Sequence, residues 1–176
     1  MIIKVEGVGN MSNIELEMKI KNVNEKELIE RIEKLGGKYI RKTVETKDDG
    51  ATKELITLTI KHILKNDESG IQQMKETEIL VNSLEETNEL LENLGFSYRS
   101  YQEKRRVKYI LNEHEIDIDT WPGLPTYFEV EGKDKADLSN ILNLLGYSFE
   151  DAVSCTVDEI YKEIGMDINN MKELKF

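Results

Sequence analysis

The sequence predicts an α+β fold in which helices pack on the outer side of a curved, mostly antiparallel sheet. Two patterns carry this. Six short segments alternate charged and apolar residues with a period of two, as in IELEMKI at 14–20, which is the period of an extended strand with one wet and one packed face. Three longer stretches instead place leucine and isoleucine at helical spacing and end on Leu-Gly or Gly-Gly, so each has an apolar stripe that must find a partner. The apolar rows of the strands supply that partner, which turns the charged rows inward.

Strands are expected near residues 12–20, 38–46, 54–63, 73–81, 99–111, 114–120 and 126–132. Each charged row is visible in the alternation: Glu15, Glu17 and Lys19, then Thr57, Thr59 and Lys61, then Glu76 and Glu78. Further along come Lys104, Arg106 and Lys108, the pair Asp117 and Asp119, and the pair Glu129 and Glu131. Turn-forming clusters separate the strands at Asp48-Asp49-Gly50, at 66–70, at Asn112-Glu113-His114 and at 121–125, where two prolines flank Gly123-Leu124.

The helices announce their ends. Asn24 with Glu27, Ser83 with Glu86, and Asp134 with Asp137 each pair a capping side chain with an acid three residues on, which satisfies orphan N–H groups and suits the positive end of the helix dipole. Gly36, Gly95 and Gly146 stand where a left-handed residue closes a helix. A last helix near 157–164, capped by Thr156 with Glu159, is expected to cover one end of the sheet.

A chain of 176 residues is enough for one hydrophobic core, and a single domain is expected. The net charge of −11 argues against a nucleic-acid backbone as partner, although a local basic strip could still hold a small anion. The lone Cys155 excludes an internal disulfide framework and fits a reducing compartment. No apolar run approaches the ~20 residues of a membrane span, and the first residues lack the basic-then-apolar pattern of a secretory signal. A cytoplasmic protein with no membrane partner is expected.

Chemistry must come from the charged rows, since no glycine-rich phosphate loop, zinc spacing or nucleophile elbow occurs. Two carboxylates ~5 Å apart repel by roughly 3 kcal/mol at an effective dielectric near 20. A raised pKa, a neighbouring lysine or a divalent cation can relieve this, and hard oxygen ligands favour Mg2+ or Mn2+. Eight acids in these rows face only five bases, so bases alone do not balance them. Cations together with lysine and arginine would then hold a chain of phosphates.

The set of motifs resembles a known family. IELEMKI carries an ExExK signature, TLTIK at 57–61 is similar to a TxK strand, Lys104 and Arg106 form a KxR pair, and EIDIDTWPGLPTYFEVEG resembles an Asp-bearing hairpin closing on Glu-x-Glu. In that order they resemble the CYTH-domain proteins, the triphosphate tunnel metalloenzymes, over about residues 11 to 165. The resemblance implies a closed or nearly closed antiparallel β-barrel of seven to eight strands, with residues 1–10 an N-terminal extension and 11–176 a single CYTH-like domain.

By the same resemblance, Glu15, Glu17, Asp119, Glu129 and Glu131 are implied metal ligands. Lys19, Lys61, Lys104 and Arg106 are implied phosphate contacts, to which strand parity adds Lys108 and the preceding strand adds Arg41. Glu15, Glu17, Lys19 and Lys61 form the implied catalytic set. Glu76 and Glu78, where the family places acids on a middle strand, and Asp117 stay open as further site residues. The segment from 37 to 57 offers only Arg41 where the family usually carries an arginine pair, so one strand is expected to be missing or merged. The expected activity is metal-dependent hydrolysis of a small-molecule triphosphate. A class IV adenylate cyclase and a non-catalytic polyphosphate or nucleotide binder are the alternatives, and a homodimer is left open.

Overall fold

The computed structural model describes residues 14–40, 44–46, 52–54, 56–64 and 71–176, with the backbone alone described at 14, 15, 39, 40, 44–46, 52–54, 63 and 72. In chain order the elements are β1 (Ile14–Ile20), α1 (Glu25–Lys34), β2 (Lys38–Ile40), β3 (Val44–Thr46), β4 (Thr52–Glu54), β5 (Ile56–Ile63) and β6 (Gln72–Val81). There follow α2 (Leu84–Asn93), β7 (Tyr101–Gln102), β8 (Arg105–Leu111), β9 (His114–Thr120), β10 (Tyr127–Gly132), α3 (Lys135–Leu144), α4 (Val157–Glu163) and β11 (Glu173–Leu174).

Seven strands join in one sheet with the order β2-β8-β9-β10-β1-β6-β5, and every neighbouring pair runs antiparallel. The α+β class is as expected. The barrel is not closed: among the described residues β2 and β5 end the sheet without pairing to each other, which leaves a curled half-barrel. The expected strand at 38–46 divides between two sheets, because β2 adds three residues to β8 while β3 pairs with β4 in a separate two-stranded ladder. A ladder that short offers too few hydrogen bonds to carry closure. Arg41 lies outside the described residues.

Alternation decides which face each side chain meets. Leu16, Met18 and Ile20 of β1, Ile116 and Ile118 of β9, and Phe128 and Val130 of β10 are buried together with Leu28 and Ile32 of α1 and Leu138, Ile141 and Leu142 of α3. Each such aliphatic contributes roughly 1.5–3 kcal/mol by leaving water, so this layer holds the sheet's shape. The caps are as the sequence predicts: Asn24, Ser83 and Asp134 accept hydrogen bonds from the backbone N–H of Glu27, Glu86 and Asp137. Gly146 closes α3 at φ +80°, and a Cβ there would meet the Arg31 guanidinium, whose Nη1 donates to the Leu145 carbonyl.

A second cluster joins Trp121, Leu124, Tyr127, Ile160, Tyr161, Ile168 and Leu174. Tyr161 donates to the Pro122 carbonyl at 2.6 Å and meets Trp121 edge-on. Tyr127 stands opposite Asp119 in the register, so α4 closes one end of the charged face. Helix α2 departs from expectation. None of its residues is buried, and Leu84, Leu90 and Leu94 are exposed, so its stripe is not covered as those of α1 and α3 are. Among the described residues no helix is long and apolar enough to cross a membrane.

The hairpin tip between β8 and β9 is tied to α3 by one carboxylate. Asp137 accepts from the Lys133 backbone N–H at 2.9 Å and lies 3.0 Å from His114 Nε2. The Lys133 hydrogen bond first, and His114 second, hold its pKa below the usual carboxylate value of 3.8. A depressed folded-state pKa adds stability that is present above the unfolded value and lost as pH falls through the folded one. Comparing thermal unfolding of the native chain with Asp137→Asn should therefore show a gap that narrows as pH falls below 3.8. A gap that stays the same or widens below that pH would contradict this tie.

Candidate active site on the charged face of the sheet

The register brings the charged rows side by side. Lys108 stands opposite Asp117, Asp117 opposite Glu129, and Glu129 opposite Lys19, which makes one transverse row across β8, β9, β10 and β1. The adjoining rows set Arg106 opposite Asp119 and Glu17 opposite Glu131. Directly opposed residues have Cβ atoms ~5 Å apart, so these groups interact whether or not they attract.

Burial raises the stakes. Asp119, Asp117 and Lys19 are 0%, 4% and 5% exposed, although they lie on the face of the sheet opposite the apolar layer packed against α1 and α3. Buried charge is tolerated only when paired. Arg106 provides most of the pairing: its Nε donates to Asp119 Oδ1 at 2.6 Å, its Nη2 to Asp119 Oδ2 at 2.5 Å and to Glu129 Oε2 at 2.8 Å, and its Nη1 to Asp117. This is the bidentate fork that guanidinium makes with carboxylate or phosphate. Lys104 adds a contact to Asp119 at 3.4 Å. Lys19 bridges Glu17 and Glu129, the latter at 3.2 Å. Lys108 pairs with Glu115 and lies 3.3 Å from Asp117 Oδ1, an atom that is buried without a hydrogen bond.

These partners divide the acids. Burial would raise the Asp119 pKa, but the hydrogen bonds and charge of Arg106, with Lys104, outweigh it and hold Asp119 ionised below the usual range. Burial wins at Asp117, whose carboxyl is pushed up despite Arg106 and Lys108. Burial and the neighbouring Arg106 charge together lower the Lys104 pKa. The Tyr127 hydroxyl is pushed up by burial and by the charges of Glu129 and Asp119, so it stays a neutral hydrogen-bonding group.

The face becomes wetter toward β6 and β5. Lys61 pairs with Glu76 there, and the Thr59 hydroxyl donates to Glu78 at 2.8 Å, yet the Lys61 side chain is 55% exposed. The backbone of Glu15 is opposite Met74 on the same face; its side chain, like Arg41, lies outside what is described. Of the residues singled out from sequence, Glu17, Lys19, Lys104, Arg106, Lys108, Asp117, Asp119, Glu129 and Glu131 come together on β8, β9, β10 and β1, while Lys61, Glu76 and Glu78 stand at the open side. Two participants were overlooked. Glu115 shares the parity of Asp117 and Asp119, and Tyr127 that of Glu129, so extending each row by one place would have found them.

A divalent cation is chemically compatible with this donor set, since Glu17, Glu129 and Glu131 are hard carboxylates on adjacent strands. In the conformation described, however, no three carboxylate, imidazole or thiol groups among the described residues gather closely enough to hold a metal. The Lys19 ammonium stands between Glu17 and Glu129 instead. It supplies there the positive charge that a cation would.

No protein-family model matches the chain, and no curated protein does. Solved structures do match. A conserved hypothetical protein from Pyrococcus furiosus is similar with a TM-score of 0.62 at 19% identity, over 81% of this chain and 96% of the other. The PH1012 protein of Pyrococcus horikoshii OT3 gives 0.62 at 23% identity with the same coverage. A Vibrio parahaemolyticus protein named as a candidate adenylate cyclase gives 0.59 at 14% identity, over 86% of this chain and 99% of that one. At such identities the likeness shows the fold.

The burial gradient has a measurable consequence. Arg106→Gln strands three buried or half-buried carboxylates and should cost about 3 kcal/mol or more in urea unfolding. Lys61→Ala at the open side should cost less than about 1 kcal/mol. Equal costs would contradict the division of the face into a buried and a wet half.

Proposed function

We propose that the chain is a CYTH-type triphosphate tunnel protein that hydrolyses a small-molecule triphosphate with the aid of Mg2+ or Mn2+. The observation that supports this best is the convergence of Lys19, Lys104, Arg106 and Lys108 with paired carboxylates on one partly buried face. An ordinary solvated sheet face has no need of a three-carboxylate guanidinium fork. A phosphate chain presents the same planar pairs of oxygens as those carboxylates, and it would take the fork of Arg106 and the ammonium groups of Lys19 and Lys61 as its own partners.

In this reading Glu15, Glu17, Glu129 and Glu131, with Asp119 as a further ligand, hold the cation. When bound, it supplies Lewis-acid polarisation of phosphoryl oxygen. The residues of the chain do the rest. Lys19, Lys61 and Arg106 neutralise the charge that develops on the terminal phosphoryl group, and the held positions of Lys19 and Arg106 lower the reorganisation cost. Water attacks the terminal phosphorus in line, the bridging P–O bond breaks with diphosphate or its organic ester as the leaving group, and the terminal group is released as phosphate carrying the water oxygen, with the water's proton passing to solvent. No covalent nucleophile is needed.

A second reading keeps the site and changes the nucleophile. The fold is shared with the Vibrio parahaemolyticus protein named as a candidate adenylate cyclase, and a class IV cyclase would use the ribose 3′-hydroxyl of ATP on the same face. Purified protein incubated with tripolyphosphate and with ATP, each with Mg2+ or Mn2+, separates them. Hydrolysis gives metal-dependent phosphate release, cyclisation gives cyclic AMP with pyrophosphate, and neither product from either compound would overturn both. Glu17→Ala or Lys61→Ala should reduce turnover at least about a hundredfold with the circular dichroism spectrum unchanged. Full activity in either variant would remove the charged face from the reaction.

A further inference from the structure

Among the described residues, two apolar surfaces are left largely exposed, and they are complementary. On α2 and just beyond it, Leu84, Leu90, Leu94 and Phe96 are 58–65% exposed. On the β5–β6 hairpin, Ile60 and Ile79 are 64% and 53% exposed. In the register Leu58 faces Ile79 and Ile60 faces Thr77, so both exposed isoleucines lie on the side of the hairpin away from Thr59, Lys61, Glu76 and Glu78. That is the side which α1 and α3 cover elsewhere in the sheet. The acidic site and this apolar surface are therefore back to back, and occupation of one leaves the other free.

Charge favours pairing these two surfaces with each other over pairing like with like. Helix α2 carries Glu85, Glu86, Glu89 and Glu92 and no base, so two copies of it facing each other would oppose four acids with four. The hairpin's outer side instead carries His62 directly opposite Lys75, both exposed. Only Asn82 and Ser83 link β6 to α2, and in the structure that short link leaves the stripe of α2 off its own sheet. Monomers rarely expose apolar patches beyond roughly 300–600 Å2, and a stable interface needs roughly 800 Å2 from each partner. Six large apolar side chains more than half exposed reach that order only when both surfaces are used together.

We propose that the chain forms a reciprocal two-fold dimer in which α2 of each copy lies on the outer side of the β5–β6 hairpin of the other. The contact closes on itself, since each copy gives one helix and receives one. A second copy covers what the fold leaves open.

Sedimentation velocity at micromolar concentration tests it on the full chain. The native protein should run as a dimer. Leu90→Glu removes the helix surface and Ile60→Glu the sheet surface; both positions are solvent-exposed, and circular dichroism verifies that each variant folds. Each variant alone should be monomeric. Mixed in equal amounts they should associate more than either variant does alone but less than the native chain, because one of the two contacts is rebuilt from the intact helix of the Ile60→Glu copy and the intact hairpin of the Leu90→Glu copy. A monomeric native protein, assembly beyond a dimer, a dimer that persists in either variant, or a mixture that associates no more than the separate variants would each overturn the proposal.

Discussion

The Arg106 fork is the interaction on which the rest depends. Folding buries one apolar face of the sheet under α1 and α3, and on the opposite, charged face the acids of β9 are withdrawn from water as well. Asp119, Asp117 and Glu129 could not all remain there as anions without a counter-charge between them. One guanidinium reaches all three. It thereby allows a strongly acidic chain to keep a concave charged surface, and it supplies the geometry that a phosphate would use.

This arrangement holds the site in a self-neutralised state. Lys19 sits between Glu17 and Glu129, Lys108 between Glu115 and Asp117, and Arg106 among its three acids. Ligand binding in this account is an exchange of partners: phosphate oxygens take over the bases, and a cation takes over the carboxylates they leave. Exchange costs less than creating charge in a buried site, because the desolvation has already been met during folding. The exposed edge at Lys61 and Glu76 is the natural point of entry, since it is the part of the face still in contact with water.

Much of this was legible in the sequence, and the reasons are local. Period-two alternation placed Glu17, Lys19, Arg106, Lys108, Asp117, Asp119, Glu129 and Glu131 on one face of their strands, because side-chain direction in a strand depends only on parity. Helix ends were readable at Asn24, Ser83 and Asp134 because capping involves residues three apart. What alternation does not encode is strand order, and hence which rows become neighbours: that Lys19 meets Glu129 and Arg106 meets Glu129 follows from β10 lying between β1 and β9. The division of 38–46 into two ladders and the open edge of the sheet are likewise tertiary outcomes. So is the fate of α2, whose stripe is written as clearly as those of α1 and α3 but is not buried by its own chain. Glu115 and Tyr127 were missed for a simpler reason: each continues a row that was ended one residue too soon.

In the proposed reading the charged face grips a triphosphate by its bases. A crystal structure with Mg2+ and a non-hydrolysable triphosphate analogue tests this. Phosphate oxygens are expected within hydrogen-bonding distance of Lys19, Arg106 and Lys61, with the Arg106 fork at least partly released from Glu129. An analogue bound elsewhere on the molecule, with the Arg106 and Lys19 ion pairs intact, would contradict it.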